Sequence, residues 1–122
     1  MEKSKSYKDL FVWKKSLDLV TDIYELTEKF PKSETYGLIS QMQRAAVAIP
    51  SNIAEGQKRG HKKEFIRFLH ISYGSGAELE TQLEICQRLH KIRDLDYNSI
   101  ALKLDEIMKM LNSLIRTLKN GL

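Results

Sequence analysis

One cysteine, two prolines and six glycines in 122 residues leave few places to interrupt this chain. The single cysteine excludes an intrachain disulfide framework, and a reducing compartment suits it. So few prolines and glycines favour long helices over many-turned β structure, because tight turns draw on both residues. No apolar run approaches the length of a membrane span. The opening MEKSKSYKDL carries charge but no apolar signal core. A cytoplasmic protein without a membrane segment is the expectation. With 42% hydrophobic and 30% charged residues, the composition is that of one folded domain, residues 1–122, whose core needs neither disulfide nor metal.

Catalytic patterns are also missing. His61, His70 and His90 have no spacing that sets two of them on one helical face as metal ligands, and Cys86 falls on an apolar stripe, which reads as core. Ser75 sits in GSG, but without a G-x-S-x-G elbow or a strand to carry one. Neither a P-loop nor a dinucleotide fingerprint occurs. Glu78, Glu80 and Glu84 lack the Glu-x-x-His pairs that complete carboxylate metal sites in helical bundles, and they read as a charged outer row. No cofactor, no metal and no enzyme activity are expected.

What is present is helical periodicity in four segments, at about 9–30, 35–56, 62–91 and 97–119. In the first, Leu10, Trp13, Leu17, Val20 and Tyr24 step by three or four. Val12, Leu19, Ile23, Leu26 and Phe30 widen that face, with Asp9 as the N-cap and Pro31 as the stop. In the second, Leu38, Met42, Ala45, Ile49 and Ile53 keep phase through Pro50. A new helix capped by Asn52 after Pro50 would be cut short by Gly56. One helix kinked at Pro50 and closed by Gly56 is the simpler reading. Ser51 and Asn52 are placed to satisfy backbone groups freed by the proline.

The third segment alternates through Phe65, Leu69, Ser72, Gly76, Leu79, Leu83 and Cys86. Its small middle, SYGSGAE, fits a close helix crossing, with a break at Gly74–Gly76 as the competing reading. The fourth shows Ile100, Leu104, Ile107, Leu111, Leu114 and Leu118. Four amphipathic helices joined by short connections predict an all-α, antiparallel up-down four-helix bundle. Ile66, Ile71, Tyr73, Ile85, Leu89, Leu102 and Met110 lie off the main stripes, and this surplus apolar surface predicts a homo-oligomer.

The net charge of +4 is concentrated. Residues 58–67 hold Lys58, Arg59, Lys62, Lys63 and Arg67 against Glu64 alone, and the rest of the chain is balanced. Cations at the end of a helix suit its dipole, but Lys62 and Lys63 open the next helix, where positive charge is unfavourable. No Ser, Thr, Asp or Asn caps that start. Free backbone N–H groups beside five cations make this loop the candidate phosphate or nucleic-acid contact. A merely solvated loop is the alternative. Phe65 and Phe68 read as core rather than as a stacking platform, so binding would be directed to the backbone of RNA or DNA.

Four stretches taken together resemble a bacterial four-helix-bundle family known as S23 or 23S rRNA intervening-sequence proteins. They are FVWKKSLDLV, YGLISQMQRAAVAIPSNIAEG, KKEFIRFLHISYGSGAELETQL and MLNSLIRTLK, in the family's order over nearly the whole chain. Trp13, Arg44, Pro50, Ser51, Asn52, Glu55, Gly56, Phe65, Glu78 and Glu80 match its motifs. The resemblance implies an antiparallel bundle assembled as a homopentamer, without enzyme activity. The family is similar to the accessory variability determinant of diversity-generating retroelements, a basic pentamer that binds nucleic acid and works with a reverse transcriptase. By that analogy the chain is a non-catalytic accessory protein binding nucleic acid through its basic loop. The alternative is a structural or interaction module that engages a protein such as a polymerase; fold by itself does not decide between them.

Overall fold

The computed structural model describes residues 6–121. Among them four α-helices carry the fold, and no strand occurs: α1 Phe11–Thr27, α2 Ser40–Lys58, α3 Lys62–Arg88 and α4 Asn98–Asn120. The helices pack in a closed ring, α1 on α2, α2 on α3, α3 on α4 and α4 back on α1, with α2 and α3 sharing the most extensive contact. Contacts between α2 and α3 pair Gly56 with Phe68, Ile49 with Ser72 and Met42 with Cys86, so these two helices run in opposite senses. Between α1 and α4, Asp22 meets Lys103 at 2.6 Å and Lys15 meets Glu106 at 3.2 Å.

Helix ends differ from the sequence expectation for local reasons. Asp9, expected to cap α1, lies in a preceding 3-10 turn, Tyr7–Asp9, whose own cap is Ser6. Leu10 precedes α1 in extended conformation with no side-chain cap. At the other end, Lys29 and Phe30 donate to carbonyls three residues back, so the last turn tightens and the α-helix stops at Thr27. A π-helical turn, Thr35–Ile39, leads into α2.

Helix α2 runs unbroken through Pro50. Pro50 has no N–H to donate to the Ala46 carbonyl. Beside it, Asn52 Nδ2 donates to the Ala48 carbonyl at 2.8 Å and Ser72 Oγ of α3 donates to the Ile49 carbonyl at 2.9 Å. The helix also continues past Gly56, which does not close it. Gly56 is instead a contact: a Cβ there would stand 2.5 Å from Phe68 Cβ. The chain reverses at Gly60, whose φ of +79° suits glycine.

Helix α3 is continuous through Gly74 and Gly76, which removes the competing break. Gly76 lies against Met108 of α4, where any Cβ would collide with the methionine sulfur, whereas Gly74 faces open space. Close crossing thus explains one of the two glycines. Tyr97, buried in the α3–α4 connection, donates from its hydroxyl to the Ile92 carbonyl at 2.7 Å and pins that loop.

The core is built from Leu19, Ile23, Met42, Ile49, Ile53, Leu69, Leu79, Leu104, Ile107 and Leu111, all fully buried. In α1 the row expected to widen the apolar face is the more deeply buried one, and of the first row Leu10, Trp13 and Val20 pack partly against the core. Val12, Ser16, Leu19, Ile23 and Leu26 face inward, while Leu17 and Tyr24 of the supposed main stripe are exposed.

Candidate nucleic-acid interface

The basic residues converge at the α2–α3 reversal. Arg59 ends α2, its N–H donating to the Gly56 carbonyl at 3.3 Å, and Gly60 turns the chain. His61 then stands at the head of α3 without a side-chain cap. The short connection brings all five candidates, Lys58, Arg59, Lys62, Lys63 and Arg67, to one end of the α2–α3 hairpin, and all five are exposed.

Their environments divide them. Arg59 reaches Glu55 at 2.9 Å and Glu64 at 3.7 Å. Arg67 grips Glu64 with two hydrogen bonds of 3.2 Å. Both guanidiniums also lean over the Phe68 ring, with Cζ at 4.9 Å from its centroid for Arg59 and 4.6 Å for Arg67. The hydrogen bond from Arg67, helped by the charges of Arg67, Arg59 and His61, holds the Glu64 carboxyl below its ordinary range, and the same bond raises Arg67. Lys58, Lys62 and Lys63 make no ion pair among the described residues. A shallow groove of about 320 Å³ lies beside them, lined by Gln57, Gly60, His61, Lys62, Phe65 and Leu118.

Glu55 lies outside the charge-based reading, while Phe68, expected in the core, is buried there. The ion pairs were legible: Glu55–Arg59 is an i,i+4 pair and Glu64–Arg67 an i,i+3 pair. A charge window opening at residue 58 excluded Glu55. Phe68 is buried on Gly56 and covered by arginines, so it offers no face for a base.

Elsewhere the chemistry is quiet. Cys86 is buried with its thiol 3.6 Å from Met42 Sδ, and burial pushes it up to about 11. Glu84 is held by Arg88 at 3.4 Å. Among the described residues no three His, Cys, Asp or Glu side chains are grouped to hold a metal ion, and no helix is long and apolar enough to cross a membrane. Exposed apolar side chains are more prominent. Leu102 is 72% and Phe11 69% exposed, and Leu17, Tyr24, Val47, Ile71, Ile85 and Leu89 join them. Of the surplus expected from the sequence, Ile66, Tyr73 and Met110 instead pack partly against the core.

The family model for 23S rRNA-intervening sequence proteins matches residues 8–113. The chain belongs to this family. A solved structure from Bacteroides thetaiotaomicron, described as a protein with unknown function from the S23 ribosomal protein family, is 29% identical and superposes with a TM-score of 0.78. The match covers 87% of the present chain and 96% of that one. Among curated proteins nothing matches. The shared fold therefore extends over most of both chains.

Proposed function

We propose that this 23S rRNA-intervening sequence protein is a non-catalytic, cytoplasmic accessory protein that binds the phosphates of RNA or DNA through its α2–α3 reversal. The observation that carries the reading is the division of the basic cluster. Glu55, Glu64 and Phe68 engage Arg59 and Arg67, which shape the loop, while Lys58, Lys62 and Lys63 are unpaired among the described residues, beside an uncapped helix start. Phe68 is covered by the two arginines and Phe65 packs partly on the core, so the lysines suit contacts to the backbone rather than to base edges. Homopentamer assembly, supported by the resemblance and by the exposed apolar side chains, would repeat the lysines and raise avidity.

Fluorescence anisotropy with labelled structured RNA and single-stranded DNA over a salt series tests this reading. Affinity falling steeply with salt is the expected result. No binding at low salt would favour the second reading, a protein-interaction module, for which exposed Phe11 and Leu102 speak. Light scattering addresses assembly separately, and a monomer mass at micromolar concentration would remove the pentamer.

A further inference from the structure

We infer that the phosphate-binding surface extends beyond the loop, along the α3–α4 seam, and that Arg116 and Lys119 of α4 belong to it together with Lys62 and Lys63. The inference rests on the proposed nucleic-acid binding and enlarges its footprint. Gly76 and Met108 mark where α3 meets α4. On α3 the row that continues from Gly76 at steps of three and four passes Tyr73, Leu69 and Ile66 and ends at Lys62. The matching row on α4 leaves Met108, passes Leu111 and Ile115, and ends at Lys119. At 1.5 Å per residue the two rows travel about 21 Å and about 17 Å from the crossing, so their ends differ by less than one helical turn. Both reach the same end of the bundle, because Leu118 lines the groove that Lys62 also lines.

Charge along this seam has one sign. Between Glu64 and Glu78 on α3 the sequence carries no acid, and after Glu106 on α4 it carries none to the end of the chain. Glu64 lies on the other flank of α3, held by Arg67 and Arg59 toward α2. Arg116 and Lys119 are exposed, and neither forms an ion pair among the described residues. Lys62 and Lys119 thus end the two facing rows at one end of the bundle, with Lys63 and Arg116 as exposed cations one and three residues away on the same helices, and none of the four is ion-paired among the described residues. Cations from two helices suit several phosphates rather than a single anion.

Anisotropy of a labelled RNA duplex with the full chain, read as the slope of log affinity against log salt, tests the extension. Arg116→Gln with Lys119→Gln is expected to lower affinity and reduce the slope by about 2, roughly one for each lost phosphate contact. Lys62→Gln with Lys63→Gln is expected to do the same. If the lysine pair weakens binding and the α4 pair leaves slope and affinity unchanged, the extension is overturned and the loop reading stands. If the wild-type chain shows no salt-dependent binding, the loop reading falls and the extension with it.

Discussion

Ser72 Oγ donates a 2.9 Å hydrogen bond to the carbonyl oxygen of Ile49, across the α2–α3 seam and one residue before Pro50. The hydroxyl is completely buried, so it has no water to fall back on. One side chain of α3 thereby ties down the segment of α2 that the proline weakens. Replacing Ser72 with Ala keeps the volume nearly unchanged but deletes this bond. The expected loss is about 1 kcal/mol, measured as a lower urea midpoint with an unchanged m-value.

Two glycines should respond to alanine in opposite directions. Gly56→Ala sets a methyl group 2.5 Å from Phe68 Cβ, in a seam where neither backbone can yield freely. A loss of about 1–3 kcal/mol is expected. Gly74→Ala meets open space within an exposed turn of α3 and should gain up to about 1 kcal/mol from helix propensity. Thermal melts of the two variants against the parent check both signs.

The Glu64 carboxyl, depressed first by its hydrogen bond from Arg67, favours the native state while it is ionised. That contribution is present above the ordinary glutamate value of 4.5 and is lost as the pH falls through the lower native value. Removing the main cause with Arg67→Gln should return the Glu64 titration toward 4.5, which carboxyl-carbon NMR can follow. An unmoved titration would show that Arg67 does not hold this carboxylate.

Cys86 behaves in the opposite sense. Burial raises its thiol from 9.0 to about 11, so the unfolded chain loses the proton first. Its effect on stability is absent below pH 9 and becomes destabilising between about 9 and 11. A thiol reagent at pH 8 should leave the native protein unmodified and react once denaturant is added. Rapid reaction in the native state would contradict the burial.

Much of the fold was legible because one row of apolar residues dominates each of α2, α3 and α4. Met42, Ala45, Ile49 and Ile53 are core residues as their spacing indicates. In α1 a second apolar row widens the first, and periodicity cannot say which of the two lies deeper. The inward row contains Ser16, whose hydroxyl donates to the Trp13 carbonyl at 2.8 Å and so becomes acceptable in the core. From sequence Gly56 reads as a helix stop because glycine serves both as terminator and as a close contact; only the position of Phe68 decides between them. The basic loop itself was visible as a charge cluster, but its division into paired arginines and unpaired lysines depends on where Glu55 and Phe68 stand in three dimensions. Arg116 and Lys119 lie far from the loop in sequence, so no local window could join them to it.

The proline within α2 also bears on when the lysine cluster takes its shape. It removes one hydrogen bond from the ladder of a 19-residue helix and leaves at most ten residues on either side, each stretch shorter than the ~12–15 at which an isolated helix holds in water. Neither stretch is expected to persist until α3 is alongside to cover Ala45, Ile49 and Ile53. The reversal at Gly60 would then acquire its shape as the last act of a docking event, not as a property of the loop. A peptide spanning 40–58 should give a coil-like circular dichroism spectrum, and a peptide of the hairpin, 40–88, a helical one. On that view the arrangement of lysines reports the folded state of the hairpin, and a nascent chain cannot present it early.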